Sequence, residues 1–256
     1  MKTIDINADI GEADNPDWAA SEAAIVQAIS SANIACGGHA GDAASMRLTV
    51  RNAKAAGVTI GAHPAYPDRA NFGRTSLVVG EDIEAKALSE TSRAQIMDLA
   101  EICYSENVKL AYVKPHGALY NDSVFDAEKA ELIARVIADL DMELSFLGGP
   151  NSQMGRAAKI HDLNFVAEGF IDRRYTDDGH LLSRKLDGAV IQDPAARLAQ
   201  ARALATTGEV LTASGTMLIL ETGSLCVHGD SPGAVATAHQ ARAAIEAEGL
   251  IIKAFA

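Results

Sequence analysis

The chain of 256 residues lacks the features that mark several large classes of protein. Its three cysteines, Cys36, Cys103 and Cys226, form no Cys-x-x-Cys pair and leave an odd thiol, which favours a reducing compartment over a disulfide scaffold. No apolar run approaches the ~20 residues of a membrane span. No Walker or Gly-x-Gly-x-x-Gly pattern occurs, so the sequence offers no nucleotide loop of known type.

Positive charge is also scarce, because 22 lysines and arginines stand against 34 aspartates and glutamates, for a formal net charge of -12. Such a field repels phosphate at long range, so we expect no nucleic acid and no anionic membrane surface as a partner. A phosphorylated ligand would need local lysines, arginines or a metal ion. The N-terminal MKTIDIN enters a strand pattern directly with no targeting segment, and we expect a cytoplasmic protein.

Short apolar runs alternate with longer helical patterns along the whole chain. The predicted strands are 3–8, 32–36, 58–62, 110–114, 143–147, 164–168 and 224–228. The predicted helices are 17–30, 42–56, 81–106, 126–140, 152–161, 194–205 and 232–248. The strands are continuously apolar, which is typical of a parallel sheet buried on both faces.

The alternation of strands and helices predicts an α/β fold. No linker-like stretch divides the chain, so we expect a single domain over residues 1–256. A (β/α) barrel of seven or eight strands is the favoured architecture, and a doubly wound open sheet is the alternative. The long irregular segment 169–193 is expected to be functional or to contain a small hairpin.

Polar motifs follow the predicted strands at their C-terminal ends. They are NADIGE (7–12), CGGHAGD (36–42), HPAYPD (63–68), KPHGALYN (114–121), GGPNS (148–152), EGFIDRRY (168–175) and HGD (228–230). Four of the seven histidines, His39, His63, His116 and His228, belong to these motifs. Because the C-terminal ends of parallel strands meet on one face in barrels and open sheets alike, we expect these groups to share a site.

Asp42 has a structural as well as a chemical interpretation, whereas Asp5 has a structural one. Asp42 begins a helical run, so it is either an N-cap or the partner of His39 in a proton-handling or ligand pair. As an anion at a helix start it competes with phosphate for the same N–H donors, which weakens a phosphate-loop interpretation of the glycines around it. Asp5 is expected to be solvated or to cap a turn.

Lys114 ends an apolar strand and therefore needs an anionic partner or a functional reason to be there. Asp9, Glu12, Glu168 or a substrate anion could supply the negative charge. Arg184, in the long segment, has a planar fork that suits a carboxylate.

Three classes of function remain open at this point. The first is metal-assisted hydrolysis, with Asp9, His39 and His63 as the candidate ligands, joined by Asp42 or His228. The second is metal-free acid/base catalysis by a His/Asp pair, with Lys114 stabilising an oxyanion. The third is a binding role without chemistry. The density of titratable groups favours an enzyme.

Taken together and in order, the motifs NADIGE, SANIACGGHAGD, GAHPAYPD, VKPHGALYN, EGFIDRRY, GAVIQD and CVHGD closely resemble the LamB/YcsF family. The resemblance covers nearly the whole chain. It implies an irregular seven-stranded (β/α) barrel of the glycoside hydrolase/deacetylase type. The characterised members of the family are A subunits of 5-oxoprolinase, so it also implies ATP-driven opening of 5-oxo-L-proline to L-glutamate, with ATP as cosubstrate and two partner subunits.

The resemblance and the residue chemistry together give the expected site. The expected catalytic residues are His39, Asp42, Lys114 and His116. The expected substrate-binding residues are Asn7, Asp9, Glu12, His63, Glu168, Asp172, Arg173, Arg184, His228 and Asp230. A divalent cation is a candidate cofactor. The alternative functions are a stand-alone metal-dependent amidase or deacetylase and a non-catalytic binding subunit.

Overall fold

The chain folds into a closed barrel of parallel strands, seen in a computed structural model that describes residues 2–229 and 233–256. The strands of these residues are β1 (Thr3–Ile10), β2 (Ser31–Ala35), β3 (Thr59–His63), β4 (Leu110–Val113), β5 (Ser145–Gly148), β6 (Phe165–Phe170), β7 (Glu209–Leu211), β8 (Met217–Ile219), β9 (Ser224–Val227) and β10 (Ile251–Ile252). The barrel order is β1-β2-β3-β4-β5-β6-β9, and β9 pairs with β1 to close it. Closure confirms the seven-stranded barrel and excludes the open sheet.

Helices follow the barrel strands and cover them. They are α1 (Pro16–Ile25), α2 (Ala43–Ala56), α3 (Ala85–Ser105), α4 (Gly117–Phe125), α5 (Ala127–Ala138), α6 (Gln153–Ile160), α7 (Pro194–Thr206) and α8 (Ala234–Ala247). The sequence predicts neither α4 nor the antiparallel β7–β8 hairpin nor β10, which pairs with the start of β1. The predicted start of the last helix at Pro232 lies outside the described residues. Among those residues, no helix is both long and apolar enough to cross a membrane.

The long segment after β6 is an ordered loop held by its own contacts. Antiparallel bridges join Arg173 to Val190 and Tyr175 to Leu181. The Arg173 guanidinium donates to the carbonyls of Leu182, at 2.6 Å, and Ala189, at 3.4 Å. These contacts brace the loop over the C-terminal end of the barrel, where it can shape a site.

The barrel interior is polar at several levels. Asp5, expected to be solvated, is instead 1% exposed and lies inside the barrel. Its carboxylate accepts hydrogen bonds from Ser30, at 2.5 Å, Ser31, at 2.7 Å, and Ser224. The prediction was wrong because strand residues alternate between two faces, and closure turns one face inward. Burial raises the pKa of Asp5 to about 6.

We expect Asp5→Asn to become more stable relative to the wild type as the pH rises. The pKa of Asp5 is about 6 in the folded chain and 3.8 ordinarily, so ionisation of Asp5 lowers the free energy of unfolding of the wild type as the pH rises through this range. The Asp5→Asn variant has no charge to gain and escapes this loss. The relative gain should reach about 2 kcal/mol between about pH 4.5 and about pH 7.5. Urea unfolding at about pH 4.5 and about pH 7.5 measures it. Exposed Asp187→Asn is the control, and a parallel pH dependence of Asp5→Asn and the wild type would contradict the expectation.

Candidate active site

The strand ends and the loops that follow them enclose a cavity of about 710 Å³ at the C-terminal end of the barrel, which we call the main cavity. Residues of six motif or loop segments border it: Asp9, Glu12, His63, Arg74, Lys114, His116, Arg173, Arg184, Lys185 and His228. The geometry therefore brings together groups that are up to 219 positions apart in the sequence, from Asp9 to His228.

The glycines after β2 make a tight turn that carries His39 into the site. Gly37 and Gly41 have φ values of 102° and 85°, which favour glycine. A Cβ added to Gly41 would lie 2.6 Å from the carbonyl oxygen of Ala35, and one added to Gly38 would lie 2.3 Å from the amide oxygen of Gln95. The backbone at this turn thus approaches its neighbours too closely for side chains.

The expected pairing of His39 with Asp42 does not form among the described residues. Asp42 is the N-cap of α2, where its exposed carboxylate accepts from the backbone N–H groups of Ala44 and Ser45. His39 Nε2 instead lies 2.8 Å from Glu12 Oε1. The first turn of α2 already satisfies the Asp42 carboxylate, which explains the difference. His39 and Asp42 both border a second cavity of about 670 Å³.

Three histidines and a glutamate form a buried cluster. We call Glu12, His39, His63 and His116 the four-ligand cluster. One ligand atom from each lies within 4.8 Å of the others. His116 Nδ1 lies 3.0 Å from His63 Nε2 and 3.4 Å from Glu12 Oε1. The rings of His39 and His116 stack with centroids 3.5 Å apart.

The hydrogen bonds of the cluster fix the orientation of two imidazole rings. His63 Nδ1 lies 2.7 Å from the carbonyl oxygen of Lys114, so this nitrogen carries the proton and donates. His116 Nε2 lies 3.0 Å from the carbonyl oxygen of Phe72 and donates likewise. Nε2 of His63 and Nδ1 of His116 therefore face each other at 3.0 Å. Buried His39 Nδ1 has no partner among the described residues.

Burial keeps two histidines of the cluster, His39 and His116, neutral. It lowers the pKa of His39 to about 2, and the neighbouring His63 acts in the same direction. Burial lowers the pKa of His116 in the same way, again with help from His63. Neutral imidazoles are the form that binds metal ions.

The residues of the four-ligand cluster fit a divalent metal ion. Three imidazole nitrogens and a carboxylate oxygen are a donor set typical of zinc and related transition metals. A tetrahedral site with metal–ligand distances of 2.0–2.1 Å has ligand–ligand edges of about 3.3 Å. The separations of 2.8, 3.0 and 3.4 Å within the cluster are close to that edge. A cation among them would be bound by the facing nitrogens of His63 and His116.

Lys114 is the cation of a second, adjacent group of side chains. Its ammonium lies 3.0 Å from Glu168, 3.1 Å from Asp9, 3.3 Å from Asn7 Oδ1 and 3.2 Å from the sulfur of Cys226. Burial alone would lower the pKa of Lys114, but the carboxylates hold it well above its ordinary value.

A second set of potential ligands surrounds this ammonium. Asp9, Cys226 and His228 also bring ligand atoms within 4.8 Å of one another. The Lys114 ammonium already contacts Asp9 and Cys226, so it occupies the place of a cation there. Asp9 was expected as a metal ligand, but it lies beside the four-ligand cluster, 3.4 Å from His63, and is neutralised by lysine.

The structure separates the expected substrate-binding residues into two groups. Asp9, Glu12, His63, Arg173, Arg184 and His228 border the main cavity. Asn7 and Glu168 are fully buried behind it, where the Asn7 amide donates to Glu168 at 3.1 Å. Asp172 is also buried and contacts His228. Asp230 lies outside the described residues.

Glu22, Asn33 and Tyr112 support the site, although the sequence prediction missed all three. Buried Glu22 accepts hydrogen bonds from the backbone N–H groups of Gly11, at 3.0 Å, and Glu12, at 2.9 Å, and so holds the turn that carries Glu12. Asn33 donates to Asp9 at 2.7 Å and accepts from the Tyr112 hydroxyl at 2.7 Å. The signal for Asn33 was an amide inside an otherwise apolar strand, whereas Glu22 on its helix gave no signal.

Comparison with known proteins now identifies the family, because the LamB/YcsF profile matches residues 4–256. The chain belongs to the LamB/YcsF family. This LamB/YcsF protein is 42% identical over 254 residues to the A subunit of 5-oxoprolinase from Chloroflexus aggregans, and the match covers 99% of each chain.

Solved structures agree with the assignment. The lactam utilization protein of Thermus thermophilus has a TM-score of 0.90 at 33% identity, and the match covers 100% of both chains. A family 4 carbohydrate esterase of Streptomyces lividans has a TM-score of 0.52 at 11% identity, covering 100% of this chain and 93% of the other. The second likeness concerns the fold alone and agrees with the deacetylase-type barrel that the motifs imply.

We expect Lys114→Met to destabilise this LamB/YcsF protein by about 3–5 kcal/mol, because it leaves the buried carboxylates of Asp9 and Glu168 without their cation. Chemical unfolding followed by circular dichroism measures the change. Lys109→Met is the matched control, since Lys109 pairs with Glu143 at 2.8 Å on the exposed surface. Equal unfolding midpoints for Lys114→Met and Lys109→Met would show that the buried charge balance has been misjudged.

Proposed function

We propose that the chain is the lactam-opening component of an ATP-dependent 5-oxoprolinase, which converts 5-oxo-L-proline to L-glutamate as ATP is hydrolysed to ADP and phosphate. The observation that carries the proposal is the 42% identity, over 99% of the chain, to a protein named as the A subunit of 5-oxoprolinase. The main cavity supports it, because its groups suit the attack of water on a small anionic amide.

The rim of the main cavity is positively charged although the chain has a net charge of -12. Arg184 and Lys185 are exposed there, and Arg173 borders the same space. The Arg173 guanidinium already donates to the carbonyls of Leu182 and Ala189, and the Arg74 guanidinium lies 4.9 Å from the centre of the Phe72 ring. The exposed Arg184 therefore suits a ligand best, because its planar fork matches a carboxylate or a phosphoryl group. We assign it to the substrate carboxylate or to a phosphoryl group.

The reaction needs activation of a poor electrophile. A five-membered lactam resists attack, and phosphorylation of its amide oxygen makes the ring carbon more reactive toward water. Lys114 borders the cavity, and its positive charge stabilises the negative charge that develops on the amide oxygen during the reaction. A divalent cation in the four-ligand cluster would supply Lewis acidity and lower the pKa of water.

We assign the chemistry of ATP to an assembly of this chain with other subunits. The relatives are named as one lettered subunit of 5-oxoprolinase, which implies a protein of several subunits. This chain has no nucleotide loop of known type, so we assign the handling of ATP, the cosubstrate, to two partner subunits. The site in this chain then receives the activated lactam.

We expect 5-oxoproline to be converted to glutamate, with release of ADP, only when this chain is combined with its partner subunits. Coupled assays of glutamate and ADP on the chain alone, the partners alone and the assembly test this directly. The physical reason is that the chain supplies the site for ring opening and the partners supply the phosphoryl group. Hydrolysis of 5-oxoproline or a simple N-acetyl amide by the isolated chain without ATP would instead favour the stand-alone amidase.

The second expectation concerns the metal ion. We expect the purified chain to retain a divalent metal. His63→Ala should bind that metal at least about tenfold more weakly, because three of the four ligands remain. Elemental analysis after dialysis and titration with zinc measure both. Exposed His239→Ala is the matched control. Equal zinc affinity in the two variants would remove the metal from the proposal.

A further inference from the structure

His228 and Asp172 form a hydrogen-bonded pair at the main cavity. His228 follows β9 and Asp172 follows β6, and these strands are neighbours in the barrel. His228 Nδ1 lies 2.9 Å from both carboxylate oxygens of Asp172, so Nδ1 carries a proton and donates it. The imidazole also stacks on Phe170, with ring centroids 5.4 Å apart. Two contacts of different kinds thus fix the orientation of this ring.

The other nitrogen of His228 remains available. Nε2 makes no hydrogen bond with any described residue, and the side chain is 11% exposed and borders the main cavity. The side chain of Asp172 is 4% exposed and does not itself line the main cavity. The arrangement is that of an imidazole oriented by a buried carboxylate, which presents a second nitrogen to a ligand.

The charges around the pair keep its carboxylate ionised. Burial acts to raise the pKa of Asp172, but the charge and hydrogen bond of His228, with Arg184 and Arg173, hold it below its ordinary value. Asp172 therefore remains an anion beside the ring. Asp9 on β1, Cys226 on β9 and the ammonium of Lys114 also lie near His228.

The pair lies within reach of the same small molecule as the rest of the site. The ligand atoms of His228 and Asp9 lie within 4.8 Å of each other, and Asp9 is 3.4 Å from His63 of the four-ligand cluster. The Lys114 ammonium lies 5.4 Å from the centre of the Phe170 ring on which His228 stacks. Metal-binding, lysine and imidazole groups therefore surround one space.

We propose, on the basis of the proposed function, that His228 is the general acid that protonates the lactam nitrogen and that Asp172 is its positioning residue. The role follows from a branch point in the chemistry. Once water has added to the phosphorylated ring carbon, that carbon carries a hydroxyl group, a phosphate and the ring nitrogen. Phosphate leaves more readily than an unprotonated amine nitrogen, and its loss restores the lactam and wastes the phosphoryl group.

Protonation of nitrogen directs the intermediate to ring opening. The oxygen of water bonds to the ring carbon, while one proton of that water reaches the imidate nitrogen. His228 Nε2 then gives a second proton to the nitrogen, the C–N bond breaks, and its electron pair stays on nitrogen as a primary amine. The hydroxyl group returns its proton to His228 Nε2 as the C=O bond forms, which leaves an acyl phosphate and restores the acid. A second water converts that acyl phosphate to the glutamate side-chain carboxylate and phosphate.

The test is the coupling ratio of the assembled enzyme in ¹⁸O-labelled water. We expect the wild-type complex to form ADP and glutamate in equal amounts and to return unlabelled 5-oxoproline. His228→Gln should form ADP in at least about tenfold excess over glutamate, because phosphate loss replaces ring opening. The recovered lactam should then carry ¹⁸O. Asp172→Asn should uncouple to a smaller extent, and His239→Gln should behave as the wild type.

Each alternative result has a definite meaning. Equal amounts of ADP and glutamate from His228→Gln, or no ADP from a folded His228→Gln complex, would overturn the assignment. If His228→Gln does not assemble, the ratio and the isotope content for Asp172→Asn decide the question. A general loss of structure lowers both products together and leaves their ratio unchanged. A wild-type complex that forms no glutamate would count against the proposed function itself.

Discussion

The ammonium of Lys114 is the charge on which the interior of this barrel depends. It lies among Asp9, Glu168 and the thiol of Cys226, in a space from which water is largely excluded. Buried carboxylates on neighbouring strands would repel one another without a cation between them. Strands β1, β4, β6 and β9 all contribute to this balance, so closure of the barrel and the charge of one lysine are linked.

The charge balance divides the site into regions with different chemistry. Lys114 neutralises the carboxylates on one side, whereas burial keeps His39 and His116 of the four-ligand cluster neutral. Neutral ligands and a fixed cation can lie side by side without competing for the same acids. Asp9 stands at the boundary, 3.1 Å from Lys114 and 3.4 Å from His63. The main cavity therefore has an exposed arginine, a set of potential metal ligands and a hydrogen-bonded imidazole in separate places.

The sequence predicted the fold and the gathering of the polar motifs at one end of the barrel, because both follow from local patterns. Continuous apolar runs marked every barrel strand, and the polar motifs after them marked one end of the barrel. Predictions for pairs of residues were weaker. His39 and Asp42 are three positions apart, yet helix capping claims Asp42 and His39 pairs with Glu12, 27 positions away. The hairpin and α4 were missed because their short segments carry little periodicity.

The stretch Asn33–Asp42 shows what each level decides. By itself the sequence determined a strand, a glycine turn and a capped helix, since these depend on near neighbours and on backbone conformations that only glycine adopts readily. Only the tertiary structure decided which nitrogen of His39 meets a carboxylate, and that Asn33 points inward toward Asp9 and Tyr112. The reason is physical: closure of the barrel sets which distant side chains meet, and burial then sets which of them carry a charge.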